Sequence, residues 1–175
     1  MKMTTVIDSV RGEYLRYKEL GEKAIAQLSD EDLSRDLAGD ANSIATICWH
    51  ISGNLKSRFT DFLTSDGEKP WRHRDEEFAA RSVTRDELLA KWNEGWSVLT
   101  NALSSLSDDQ LEQMVKIRSQ PLTVAAALHR SLAHTSYHVG QIVYIAKSIR
   151  GADWNSLSIP RGKSDDFNRK MRESK

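Results

Sequence analysis

Five histidines stand in the chain, at positions 50, 73, 129, 134 and 138, and two of them are spaced for metal chemistry. His134 and His138 lie four residues apart in a segment of helical periodicity, so they differ by about 40° around the axis and by about one turn along it. Two imidazoles so placed can aim nitrogens at one point at the ~2.0–2.1 Å that an ion such as zinc requires. His50 occupies an interior position of an earlier helical segment, which a bundle could bring opposite the pair. Three neutral imidazoles leave coordination positions open to water or substrate, the arrangement of a reactive rather than a structural centre. His129 cannot join them, because on the same helix it is about 140° from His134 and about 180° from His138. His73 sits in a charged, non-helical stretch and reads as a surface residue.

The neighbours on those stripes are informative. Arg130, Tyr137 and Gln141 share the stripe of His134 and His138, while Thr46, Asn54 and Ser57 accompany His50, with Gly53 close by. A purely structural helix would fill an inward stripe with Leu, Ile and Val, so polar and small residues there suggest a cavity with a wet lining. The competing reading is that the stripe faces solvent and the pair are ordinary surface histidines. Cys48 is about 160° from His50 around the helix, and is expected to be a buried structural residue pointing away from any metal.

The elements that must carry these residues are helices. Apolar residues recur at three- and four-residue intervals from about Thr4 to Leu28, from Asn42-Ser43 to about Leu63, from Thr84 to about Leu106, and from about Leu122, just after Pro121, to about Arg150. Ser29 is placed to cap a short turn, Thr84 and Glu87 form a capping box, and Gly151 ends the last helix. Residues 66–82 are polar and charged and read as an ordered loop. Leu28-Ser-Asp-Glu-Asp-Leu33 recurs as Leu106-Ser-Asp-Asp-Gln-Leu111 after the first and third helices, a faint repeat that coincidence would also explain. The expected fold is therefore all-α: an up-and-down four-helix bundle in one domain over 1–175, with a long loop between helices 2 and 3 and an ordered C-terminal tail from about 151. Arg161-Gly-Lys-Ser164 lacks the upstream glycine and preceding strand of a phosphate-binding loop.

Composition narrows the partners. Lys plus Arg and Asp plus Glu each number 25, so the net charge is zero, which argues against nucleic acid and against an electrostatically held membrane. It favours self-association, and a homodimer is expected. One cysteine forbids an internal disulfide and fits a reducing compartment; with no signal peptide visible and apolar runs far below the roughly 20 residues of a membrane span, the expected location is the cytoplasm.

Ser131-Leu-Ala-His-Thr-Ser-Tyr-His-Val-Gly-Gln-Ile142 resembles the fourth-helix signature of the DinB-like four-helix bundle superfamily, His-x-x-x-His followed by Gly-Gln, and Ser43-Ile-Ala-Thr-Ile-Cys-Trp-His50 resembles its second-helix motif. Residues 66–78 and 154–164 look like marks of one bacterial branch of it. The resemblance implies a divalent metal ion, nickel or zinc, held by His50, His134 and His138. It also implies thiol chemistry, since relatives include bacillithiol S-transferases and mycothiol-dependent maleylpyruvate isomerases. The superfamily often has Arg after the last histidine, where this chain has Val139, which puts any role of that arginine in doubt. The leading expectation is a metal-dependent transferase that joins a small-molecule thiol to an electrophilic substrate, with Tyr137 or Gln141 orienting water or substrate. Metal-assisted hydrolysis ranks lower because neither histidine stripe offers a carboxylate as general base. A non-enzymatic, stress-related metal-binding bundle is the third reading.

Overall fold

A computed structural model describes residues 5–173 apart from 38 and 40. Among them run six α-helices, α1 (Val6–Ile25), α2 (Asp30–Ser34), α3 (Ile44–Phe59), α4 (Arg85–Ser104), α5 (Val124–Arg150) and α6 (Ser164–Glu173), and one hairpin of β1 (Met114–Ile117) and β2 (Gln120–Thr123). Each long helix starts at a hydroxyl that accepts from the amide three residues on: Thr5 from Asp8, Ser43 from Thr46, Thr84 from Glu87 and Thr123 from Ala126. Such caps contribute about 1 kcal/mol each, and Thr84–Glu87 is the full capping box that its sequence predicts. The amides of Val6 and Ile7 donate in addition to the Asp108 carboxylate at 2.9 and 3.0 Å, where the helix dipole favours negative charge.

The four long helices bury their apolar stripes on one another. α3 packs most extensively on α4 and α1 on α5, and contacts of α3 with α5 and of α1 with α4 complete the arrangement. Trp92 and Trp96 of α4 and Tyr14 of α1 are fully buried between them. Tyr14 meets Trp96 and Phe59 edge-on and donates its hydroxyl to the Leu128 carbonyl at 3.1 Å, so its one polar atom is satisfied in the core. Cys48 is fully buried, as expected of a structural cysteine. No helix among the described residues is long and apolar enough to cross a membrane.

The structure differs from the sequence reading at the ends of elements. The first helix stops at Ile25, and its expected start at Thr4 lies outside the described residues. The second ends at Phe59 because Asp61 turns left-handed (φ 48°), and the third ends at Ser104. Pro121 and Leu122 belong to β2, so the fourth begins at Val124. The hairpin was not expected. Its two turn residues, Arg118 and Ser119, both have positive φ (54° and 62°), a conformation usually given to Asn-Gly. Asp66 offsets that strain by accepting both of their amides, at 2.8 and 2.6 Å, which ties the 66–82 loop to the hairpin. Within that loop Arg74–Phe78 forms a 3-10 turn against α3. Over its described residues the tail is anchored: Gln27, just past α1, exchanges two hydrogen bonds with the Asn155 backbone before α6 begins.

α3 and α4 approach closely at Gly95, where an added Cβ would stand 2.6 Å from Ser52 Cα and 2.9 Å from its carbonyl oxygen. Those are backbone atoms and cannot rotate away. Gly95→Ala is expected to destabilise the chain by about 1–3 kcal/mol, read as a lower denaturation midpoint with an unchanged slope.

Candidate metal centre

α3 and α5 cross where His50 of one faces His134 and His138 of the other. One ring nitrogen from each lies within 4.8 Å of the other two, close enough for one ion to bind all three. His50 and His138 are buried, and His134 is partly so. His50 Nε2 and His134 Nε2 stand 3.1 Å apart. His129 is exposed on the far side of α5 and His73 is exposed in the loop, as helical angles and local composition predict.

The outer nitrogens decide which way each ring presents its lone pair. His50 Nδ1 lies 2.8 Å from Glu77 Oε2, so it carries the proton and leaves Nε2 as a lone pair turned to the cluster. His138 Nδ1 donates in the same way to Gln141 Oε1 at 2.8 Å. Its Nε2 is then a buried acceptor with no hydrogen-bond partner among the described residues. An orphaned buried lone pair is costly, and a cation satisfies it.

Charge state supports the same end. Burial pushes the His134 pKa down to about 3, helped by the neighbouring His138 and His50 and by Arg72 and Arg58. Burial likewise brings His138 down to about 4, although its bond to Gln141 acts the other way. These two rings are neutral at physiological pH, as metal ligands must be. Burial alone would raise the Glu77 pKa, but hydrogen bonds from His50 and Arg72 and the Arg72 charge hold it below the usual carboxylate value. Arg72 grips Glu77 with two bonds, Nε to Oε1 at 2.8 Å and Nη2 to Oε2 at 2.9 Å.

A cavity of about 390 Å³ takes in the three histidines. Asn54, Arg130, Tyr137 and Gln141 line it, as the polar stripes suggest. Thr46 and Ser57 do not: Thr46 bonds Ser43 at its helix start, and Ser57 donates to the Gly67 carbonyl. Tyr137 is half exposed, its ring centroid 4.0 Å from that of His138 and 5.4 Å from that of His134. Glu77 and Arg72 come from the loop, where no helical periodicity links them to the histidine stripes, so the residue pattern does not announce them. Gly53 was the available signal. It lies three residues from His50, and a Cβ there would stand 2.1 Å from Glu77 Oε1. A mid-helix glycine beside a candidate ligand marks another segment pressing in.

A mostly helical fold with three converging histidines on a polar cavity defines a candidate metal-binding helical protein. The chain belongs to the family described as "Protein of unknown function (DUF1572)", whose model matches residues 2–163. Its fold is similar to that of a conserved protein from Enterococcus faecalis known by crystal structure, with a TM-score of 0.66 over 85% of this chain and 99% of that one at 19% identity. At that identity the likeness speaks to the fold alone. No curated protein matches.

Gly53→Ala tests the Glu77 contact. It adds a better helix former by about 1 kcal/mol but displaces the Glu77 carboxylate from both His50 and Arg72. The expected result is a folded chain with a lower melting temperature, because a buried ion pair is disturbed, and metal affinity weakened about 10–100-fold in a competition titration.

Proposed function

We propose that the chain is a single-domain, DinB-like up-and-down four-helix bundle and a divalent-metal-dependent enzyme, a transferase that joins a low-molecular-weight thiol such as bacillithiol to an electrophile. His50, His134 and His138 are its metal ligands, and nickel or zinc its ion. The observation that carries the reading is the unpartnered Nε2 of His138, aimed among two other imidazoles beside a cavity. A structural ion would be enclosed by a full set of protein ligands, whereas three imidazoles and an adjoining cavity leave room for a small molecule. The likeness of the fourth helix to the DinB-like signature supports the thiol chemistry.

When bound, the ion supplies the Lewis acidity that holds a thiol as its thiolate at neutral pH. The chain does the rest. Glu77 and Gln141 keep two of the rings with their lone pairs inward. Tyr137 stands half exposed over His134 and His138, where a substrate passing into the cavity would meet its hydroxyl. Gln141 has its oxygen on His138, which leaves its amide N–H group to orient the electrophile. Glu77 is spent on His50 and Arg72, so it is not free to act as general base, and hydrolysis gains nothing from its presence. A homodimer belongs to the same reading, on the zero net charge.

The protein is expected to retain about one divalent ion per chain by elemental analysis, and to lose it on replacing His50, His134 or His138 by Ala. The metal-loaded protein should consume a small thiol in the presence of a reactive haloarene well above the metal-free background. Full metal occupancy without thiol consumption would overturn the transferase. A melting temperature indifferent to chelator would point to an adventitious ion.

A further inference from the structure

Five arginines line the cavity beside the histidines, Arg58, Arg72, Arg74, Arg118 and Arg130, and among the described residues no aspartate or glutamate does. In a chain of zero net charge this is a segregation of charge, not a reflection of composition. The five converge from separate places: Arg58 from α3, Arg72 and Arg74 from the loop, Arg118 from the hairpin turn and Arg130 from α5.

The carboxylates that answer them stand outside the lining. Glu68 serves both Arg58 and Arg118, at 3.2 and 2.8 Å, and lies 4.0 Å from Arg72. Glu77 holds Arg72 but is shared with His50. Arg130 makes no ion pair among the described residues. Arg72 is the most telling: its side chain is only 2% exposed, yet its Nη1 has no hydrogen-bond partner among the described residues, Glu68 Oε1 standing 4.0 Å from it, too far to accept. A buried guanidinium N–H without an acceptor is unfavourable, and a divalent ion beside neutral histidines would add further uncompensated positive charge.

We infer that the cavity binds a small organic polyanion, with two or more carboxylate or phosphate groups held by the arginine wall and its reacting end at the histidines. The planar guanidinium fork matches both kinds of group in paired hydrogen bonds. A volume of about 390 Å³ admits a small molecule and not a polymer. Phe59, Phe62 and Phe78 line part of the same cavity and suit the carbon frame between the charges. The inference deepens the metal-centre reading and rests on it for the reacting end, whereas the anion contact stands on the arginines.

The test is isothermal titration of the full chain, metal-loaded and metal-free, with succinate and inorganic phosphate, and with acetate and succinamide as controls. A dianion is expected to bind at least about ten-fold more tightly than acetate in both forms, and succinamide not at all. The tighter of the two dianions identifies the group the wall selects. Arg130→Gln and Arg118→Gln should each weaken dianion binding about ten-fold or more while leaving metal content and melting temperature unchanged; Arg130 is exposed on α5, so its replacement leaves the core intact. Equal affinity for dianions and acetate, or dianion binding indifferent to both substitutions, overturns the inference. Failure to hold a metal with dianion binding intact would sink the metal centre alone, and the reverse result would sink this inference alone.

Discussion

Three imidazoles can ligate one ion only if each is uncharged and turns a lone pair toward it. Residues behind the candidate ligands His50 and His138 serve both demands. Burial keeps His134 and His138 neutral, and acceptors on the outer nitrogens of His50 and His138 turn lone pairs inward. The chain Arg72–Glu77–His50 is the decisive part, because it places an ionised carboxylate in a buried position and satisfies it from both sides. Without Arg72, Glu77 would be a buried charge held by one imidazole, and the cost would fall on His50, the ring it orients.

That chain explains features of the fold that look unrelated to it. Gly53 is a glycine because Glu77 needs the space where its Cβ would be. The 66–82 loop is ordered because it is tied at both ends: Asp66 binds the turn of the hairpin, and Glu77 binds α3 through His50. The left-handed Arg118-Ser119 turn is tolerated because Asp66 accepts its amides, and the same turn presents the Arg118 side chain to the cavity. Loop, hairpin and helices α3 and α5 thus converge on one site, while α1 and α4 supply the buried aromatic core that holds α3 and α5 in register.

Much of this was legible in the residue pattern. Ser29, Ser43 and Thr84 mark their helix starts by type and by the residue three places on, and four-residue spacing puts His134 and His138 on one face whatever else the chain does. The hairpin was not legible: its strands are four residues each, and Arg118-Ser119 carries no Asn or Gly to announce a left-handed turn. α6 escaped because it is short and highly charged, and its two large apolar residues, Phe167 and Met171, are too few to set a period. Glu77 and Arg72 escaped for a different reason. Their partners are 27 and 5 residues away in a segment without periodicity, and only tertiary packing joins them to His50.

Whether the three histidines form one metal centre is tested most directly by X-ray absorption at the metal edge of the protein as purified. The expected spectrum shows three nitrogen scatterers near 2.0–2.1 Å with the outer-shell features of imidazole, reduced to two in His50→Ala. A first shell of oxygen alone, or a spectrum unchanged by His50→Ala, would contradict it.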